Sequence, residues 1–556
     1  MSEKQRIVGL LLVMLLTAAL WVVNLLWLRK DTRPPVWDMA LHQSYALNYL
    51  PQALPAAQPA SLTERSGNYP PFVHLMIAFC FAVLHPDSKV ATLANIPATF
   101  LLLWAVYQLA EDLAGAAAAR WACLLTALTP YLIWMSRETI LDYWLAAWVA
   151  AGLLALRRTE AFASHPRSLH FGLTCALGLL TKWFFAGFLI APLLYVCIKS
   201  RIWRDRSRMI NLADAALISI LLAGTWYLPN LPNLTHYFVE NARIGAREGE
   251  PAVYSFQSLI YYLRLLEGYQ LFGILFFVLL VSAIRVWRKG LKTDGMFLLA
   301  AIFGGWLAMT LLRTKDPRFT MPLLGPLLIL AGAWLRDWKR AWWATGLKVT
   351  LILVLGFQAY MINFGVRRLP EEVVLVRGYS GSLRWDWNLY LQHYFHILGP
   401  PRREDWKQEE ILRKMAEDAN AKGVAQELAL IPDLPRFNSV NFQLAARFRG
   451  YRANVAHIQS EPNGMRSFDG FNYLVLTEGD QGMSWSTVWS RALNQIVFDN
   501  PGVYRLIALY PLPDGGSARL YFIERGAAGK AAAADAPGVR RRPYGAGASS
   551  AAGARA

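Results

Sequence analysis

The stretch Ile7–Leu28, IVGLLLVMLLTAALWVVNLLWL, decides the class of this protein. An α-helix rises about 1.5 Å per residue, so about 20 apolar residues cross a hydrocarbon core of about 30 Å. The short basic flank Met1–Arg6 gives the start of the chain the look of a signal peptide. The apolar run is too long for the core of such a peptide and no small-residue cleavage site follows, so it is expected to stay as a first membrane helix. Further apolar segments of spanning length follow near residues 89–110, 115–134, 139–156, 168–181, 183–198, 211–229, 269–287, 294–312, 318–335 and 342–364. One such segment reads equally well as a buried core helix, whereas a series of them requires lipid as solvent. Composition agrees: 55% of the 556 residues are hydrophobic and only 17% are charged, against about 25% charged in soluble chains.

The charges that remain are informative by their place. The formal net charge is +18, but Lys and Arg sit in short links between apolar segments instead of forming the patch of a nucleic-acid binder. Basic links mark cytoplasmic loops, and the strongest are Arg157–Arg167, Lys199–Arg208, Arg285–Lys292 and Arg336–Arg340. A further apolar stretch at 70–85 would make twelve crossings and put Arg157–Arg167 outside, against that rule. It opens with Pro70-Pro71, carries His74 and is short, so it reads as a shallow or interfacial helix within one large external loop, 29–88. The expected architecture is a polytopic α-helical membrane protein of about eleven spans, with a cytoplasmic N-terminus and an extracytoplasmic soluble domain at the C-terminal end. The four cysteines (Cys80, Cys123, Cys175, Cys197) lie in apolar segments and read as small hydrophobes.

Three regions are expected: a membrane domain over 1–365, an α/β domain over 366–525 and a disordered Ala/Gly/Arg-rich tail over 526–556. Strands are predicted at Val373–Val376, Glu427–Ile431, Tyr473–Thr477, Tyr504–Tyr510 and Ala518–Ile523, and a helix at Asp405–Lys422 with Gly423 as its C-cap. Strand and helix alternation favours an α/β layer fold. No Gly-rich phosphate fingerprint opens its helices, and there is no internal repeat of the kind found in transporters.

Five polar clusters fall on the expected external face. Trp37-Asp38-Met39-Ala40-Leu41-His42 holds a carboxylate that reads as an ordinary loop acid or as a general base; Ala40 rules out a DxD metal pair. Gly67-Asn68-Tyr69-Pro70-Pro71, with His74 beyond, reads by itself only as a turn into a helix. In Ser136-Arg137-Glu138-Thr139-Ile140-Leu141-Asp142, Arg137 and Asp142 point to different faces and each needs its own partner. Asp142 lies inside an apolar run, where an unpaired carboxylate costs several kcal/mol. Thr181-Lys182-Trp183 puts a Lys at an external turn, either to clamp an anion or to snorkel. Arg313-Thr314-Lys315-Asp316-Pro317-Arg318-Phe319 is a basic external link that breaks the charge rule, which phosphate binding or a misdrawn topology would explain.

The order D-x-x-x-H after the first span, then Y-P-P, S-R-x-x-x-L-D, L-T-K-W and K-D-P-R-F-x-x-P-L-L-G-P-L-L-I-L-A-G resembles the GT-C glycosyltransferases. The subgroup it is similar to is glycosyltransferase family 39, the protein O-mannosyltransferase and aminoarabinose-transferase type, over about residues 5–365. The resemblance implies a GT-C fold and transfer of a sugar from a polyprenyl-phosphate donor to a glycolipid (such as lipid A), polysaccharide or protein at the extracytoplasmic face of the inner membrane, with inversion. It implies that Asp38 is the catalytic base. His42, Tyr69, His74, Arg137 and Asp142 would shape the substrate pocket, and Lys182, Lys315 and Arg318 would hold the lipid phosphate. Protein mannosyltransferases typically have Asp-Glu where this chain has Asp38-Met39, which weakens that particular assignment. Relatives with lipid-monophosphate donors often need no metal, so no obligatory metal or other cofactor is expected, a divalent ion being the alternative. The competing readings are a transporter or flippase for a lipid-linked substrate and an inactive scaffold of the same fold.

Overall fold

The computed structural model describes residues 3–50, 65–289, 295–337, 342–380, 383–392 and 399–524; the expected tail, 526–556, lies outside them. Helices occupy every segment expected to span. Among the described residues six stretches are long and apolar enough to cross a membrane: Arg6–Lys30, Ser88–Ala114, Arg206–Arg247, Phe256–Arg285, Pro317–Arg336 and Trp342–Phe364. Others are apolar but shorter, including Ala116–Leu128, Phe185–Lys199 and Gly295–Thr310. The segment read as interfacial is the helix Phe72–Val83, 12 residues long. At about 18 Å it cannot cross the core; Val73, Ile77 and Phe81 are buried while Phe79 and Val83 are exposed.

The segment expected at 115–134 is divided at Thr129 into Ala116–Leu128 and Pro130–Met135, and another helix runs far beyond its expected span. The span predicted at 211–229 belongs to a helix of 42 residues, Arg206–Arg247, that continues through Pro229 and Pro232. At roughly 63 Å it is about twice the hydrocarbon thickness, so its second half carries Tyr237, Phe238 and Asn241 toward the polar loops. Prolines and polar residues end the apolar pattern there without ending the helix, because a helix held by its neighbours tolerates a missing backbone donor. The first half packs very closely on the helix His165–Thr181: a Cβ on Gly172 would lie 2.3 Å from the Ala215 carbonyl oxygen.

The C-terminal region contains all five predicted strands. Among the described residues it adds two that were not predicted: Leu383–Leu391, although its apolar residues alternate strictly from Leu383 through Trp385, Trp387 and Leu389 to Leu391, and the short Asn454–His457. In chain order the strands are β1 (Glu372–Ser380), β2 (Leu383–Leu391), β3 (Glu427–Leu430), β4 (Asn454–His457), β5 (Tyr473–Glu478), β6 (Tyr504–Pro511) and β7 (Ser517–Ile523). β1 and β2 form an antiparallel ribbon, and the others a sheet ordered β4-β3-β5-β7-β6 whose first three strands are parallel. Side chains alternate across a strand. Leu428 and Leu430 therefore pack with Ile411, Leu412 and Met415 of the helix Gln408–Lys422. Ala429 and Ile431 face the opposite way, toward Leu493 and Val497 of the helix Ser490–Asp499. A sheet covered on both faces explains why Tyr473–Leu476 is apolar without alternation.

This domain grips the loop that follows the first helix. The Thr32 amide donates to the Arg402 carbonyl (3.0 Å) and the Trp37 amide to that of Pro435 (3.2 Å). Asn441 donates to the Pro35 carbonyl (2.6 Å) and Arg447 to that of Ser44 (2.6 Å). Asp31 accepts from the Arg402 amide (2.9 Å), and Phe448 meets Phe81 edge to face.

Gly172→Leu is expected to force the two helices apart and to lower the thermal midpoint of the detergent-solubilised protein by several degrees, since overpacking costs about 1–3 kcal/mol or more. An unchanged midpoint would mean that the close approach at Ala215 is not sustained.

Candidate active site

The site is assembled around Arg318. Asp316 caps the 3-10 turn Pro317–Leu323, its Oδ1 accepting from the Arg318 amide at 2.9 Å, while its Oδ2 lies 3.1 Å from Nε of the same arginine. That turn aims the guanidinium at two other carboxylates. Arg318 Nη2 donates to Asp38 Oδ2 (2.8 Å), and Nε lies 3.8 Å from Asp142 Oδ2. Asp38 occupies the first turn of the helix Trp37–Leu47, where the helix dipole favours an anion. Asp142 opens the helix Leu141–Arg158, and its Oδ1 accepts from Lys182 Nζ at 2.7 Å. Lys182 leaves the helix His165–Thr181 in extended conformation, with its ammonium 5.0 and 4.9 Å from the ring centroids of Phe184 and Phe319. The anomalous Asp and Lys of the apolar segments are therefore each other's partners. This is how buried charge is normally tolerated.

Above this floor lies a cavity with about 650 Å³ of empty space, counting the part open to solvent. Its wall is aromatic. Trp183 stacks on Tyr69 at 5.7 Å, and the Tyr69 and Tyr237 hydroxyls are 2.9 Å apart. Two carboxylates, Asp38 and Asp142, and three cations, Lys182, Arg313 and Arg318, line it. Lys182 and Arg318 are engaged in ion pairs, whereas Arg313, half-buried at the rim, has no ion-pair partner among the described residues. The cavity is thus suited to an anion beside an uncharged, ring-shaped group. Among the described residues no cluster of three or more His, Cys, Asp or Glu is arranged to hold a metal ion.

Six of the nine residues singled out from sequence line the cavity: Asp38, His42, Tyr69, Asp142, Lys182 and Arg318. The other three lie elsewhere. His74 stands one layer back, its Nε2 2.9 Å from His42 Nδ1 and its Nδ1 3.1 Å from Ser66 Oγ. Burial, with Arg318 and Lys182 nearby, holds the His42 imidazole well below its usual range, so it meets the cavity uncharged. Arg137 stacks 4.6 Å over Trp27 and donates to Asn363, tying the first helix to Trp342–Phe364. Lys315 turns away from the cavity: its ammonium donates to the Thr310 carbonyl at 2.5 Å and sits 5.5 Å from the Tyr262 ring. There it caps the carbonyl end of the helix Gly295–Thr310, a favourable place for a cation. Within the basic link it is Arg313, not Lys315, that reaches the cavity. Tyr237, Phe238 and Asn241 were invisible from sequence because the helix carrying them outruns its apolar pattern.

A polytopic membrane protein with this helical arrangement and an α/β domain seated over a charged cavity has the GT-C fold. The apo structure of ArnT from Cupriavidus metallidurans superimposes with a TM-score of 0.54 at 13% identity, over 91% of this chain and 97% of that one. The archaeal oligosaccharyltransferase AglB from Archaeoglobus fulgidus does so at 0.52 and 12% identity, over 94% and 75%. Residues 68–227 match the family model described as dolichyl-phosphate-mannose-protein mannosyltransferase. Two relatives named as undecaprenyl phosphate-alpha-4-amino-4-deoxy-L-arabinose arabinosyl transferases align in sequence. The one from Proteus mirabilis is 27% identical over 222 residues, and that from Serratia proteamaculans 26% over 237. These alignments take in 38% and 39% of this chain, and the chain spans 39% of each relative's length. Fold, family model and relatives together show that the chain is similar to the GT-C glycosyltransferases of the family 39 type.

Arg318→Ala would leave three carboxylates facing one another and is expected to cost about 3–5 kcal/mol of stability, read as a lowered thermal midpoint in detergent; a midpoint at the wild-type value would remove Arg318 from the centre of the site. Burial lifts the Asp316 carboxyl to about 6, against the pull of Arg318. The folded state therefore takes up this proton first, and the group adds stability as pH falls from about 6 to about 4. Asp316→Asn is expected to abolish that increment in midpoints measured across this range.

Proposed function

We propose that this protein is an inverting glycosyltransferase that moves a sugar from a polyprenyl-phosphate donor to an acceptor hydroxyl on the extracytoplasmic side of the inner membrane. One observation carries the reading. Asp38, among the described residues the one lining carboxylate not bonded to Lys182, sits beside a cluster of cations in the cavity. The undecaprenyl phosphate in the relatives' names supports a lipid-phosphate donor. The basic links expected on the opposite side, from Arg157 to Arg167 and from Lys199 to Arg208, support an external site.

In this mechanism the donor phosphate lies against Arg313, with Lys182 and Arg318 behind it. The acceptor oxygen attacks the anomeric carbon from the Asp38 side as the Asp38 carboxylate takes its proton. The carbon–oxygen bond to phosphate breaks on the opposite face, leaving a polyprenyl phosphate that has gained one negative charge. Preorganised cations stabilise that charge in the transition state, and a positioned base contributes roughly 10²–10⁴-fold. Arg318 keeps the base oriented, and Asp142 keeps Lys182 extended toward the leaving group. The aromatic wall of Tyr69, Trp183 and Tyr237 offers a surface for the sugar ring. His42, neutral and bonded to His74, fixes the Asp38 helix against that wall.

Asp38→Asn is expected to reduce sugar transfer by roughly 10²-fold or more while leaving undecaprenyl-phosphate binding intact; undiminished transfer would refute the mechanism. Arg313→Ala is expected to raise the KM for a polyprenyl-phosphate sugar about tenfold, the loss of one charge-assisted contact. Lys315→Ala is expected to lower the thermal midpoint with little change in that KM, and the opposite pattern would return the phosphate to Lys315.

A further inference from the structure

A second cavity, with about 670 Å³ of empty space counting the part open to solvent, adjoins the first and shares Asp38, Tyr69 and Tyr237 with it. Its far wall belongs to the C-terminal domain. The chain runs from β3 through the helix Ser439–Arg449 into β4 on one side of β3, and then into β5 on its other side. β3 is therefore the point at which the strand order reverses. In open α/β sheets the crevice beyond the carboxyl ends of the strands at such a point is where ligands bind. Here that crevice is built from Asp433 after β3, His457 and Gln459 at the end of β4, and Trp485 beyond β5, and it opens directly onto Trp37 and Asp38.

The two chambers differ in charge. No lysine or arginine is among the described residues lining the second; its only formal charges are the carboxylates Asp38 and Asp433. Nor is the nearby helix N-terminus available to an anion, because Asn438 Oδ1 already accepts from the amides of Val440 and Asn441 at 3.1 Å. The polar groups are held in place: Asp433 accepts from Trp37 Nε1 (3.1 Å) and Ser486 Oγ (2.5 Å), and Gln459 lies 2.9 Å from His457 Nδ1. Trp485 presents a buried indole N–H without a partner among the described residues. Indole faces beside a fixed carboxylate and amide suit a polyhydroxylated ring: apolar surface for its C–H faces and oriented groups for its hydroxyls.

We infer that this crevice is the acceptor subsite, that it takes an uncharged or amino-bearing saccharide with no phosphate or carboxylate near the reacting hydroxyl, and that the C-terminal domain thereby selects the acceptor. The inference rests on the glycosyltransferase reading of the neighbouring cavity and gives the acceptor its chemical class. The charge difference sorts the substrates, with the anionic donor drawn to the Arg313 chamber and kept out of the acidic one. It also matches the use of a base, since a hydroxyl must lose a proton in order to attack whereas a phosphate oxygen is already anionic.

The test presents the full-length protein in lipid nanodiscs to an array of neutral, amino-bearing, phosphorylated and carboxylated oligosaccharides and unglycosylated peptides. Undecaprenyl-phosphate binding is measured in parallel. The expected result is binding confined to neutral and amino-bearing glycans, weakened about tenfold by Trp485→Ala, as for an aromatic anchor, and weakened also by Gln459→Ala, with undecaprenyl-phosphate binding unchanged in both. Preference for phosphorylated or carboxylated glycans, capture of peptides alone, no glycan bound, or glycan binding indifferent to both substitutions would overturn it. Failure of the wild-type protein to bind undecaprenyl phosphate would instead refute the donor reading, and the array result would stand on its own.

Discussion

The ion cluster centred on Arg318 is the constraint on which the rest of the site depends. Asp38, Asp142 and Asp316 come from three distant parts of the chain, and each is buried. Without a cation their mutual repulsion and desolvation would be prohibitive at membrane level. A guanidinium offers five donors in a rigid plane and so meets three carboxylates from one position, which a lysine cannot do. The 3-10 turn from Pro317 exists to aim it, with the same Asp316 capping the turn and holding Nε. Lys182 then completes Asp142. Structural requirement and chemical capacity coincide, because the charges that keep the helices together also line the cavity, where the proposed mechanism uses them to receive a phosphate and orient a base.

The C-terminal domain has a larger part than that of an accessory. Backbone and side-chain bonds from Arg402, Pro435, Asn441 and Arg447 fasten the segment between Thr32 and Ser44, and Asp38, in the first turn of its helix, lies in the middle of that segment. A carboxylate on a free external loop would sample many positions, and catalysis by proximity is lost with displacements of about 1 Å. The same seating brings the carboxyl ends of β3, β4 and β5 over Asp38. The one seating thus fixes Asp38, the proposed base, and closes a second chamber beside it. Two cavities of opposite charge meeting at a single carboxylate form a natural arrangement for joining two substrates of different charge.

Much of this was legible in the sequence. Buried carboxylate and lysine in apolar segments are costly, so Asp142 and Lys182 stood out by chemistry alone, and the basic link around Arg318 stood out by breaking the charge rule. The division of labour within that link was not legible: Arg313, Lys315 and Arg318 are alike in a string of letters, and only the path of the loop turns Lys315 onto the Thr310 carbonyl and leaves Arg313 at the cavity. Arg137 was equally suspicious and serves to brace Trp27 against Asn363. A buried charge announces that a partner exists, without saying whether the pair binds a ligand or a helix.

The sequence by itself determined what depends on the solvent each residue needs: membrane helices where apolar runs are long enough, a layered α/β domain where buried strands alternate with helices, and the short helix Phe72–Val83 excluded from spanning by its length. Those are local properties, set by the transfer of side chains between water and lipid. The tertiary structure alone decided what depends on distance: which of three cations meets the cavity, how far the Arg206–Arg247 helix carries Tyr237 past its prolines, and where the soluble domain sits. Contacts such as Trp27 to Gly399 and Asp31 to Arg402 join residues about 370 positions apart, and no periodicity or motif within either segment encodes the other's position.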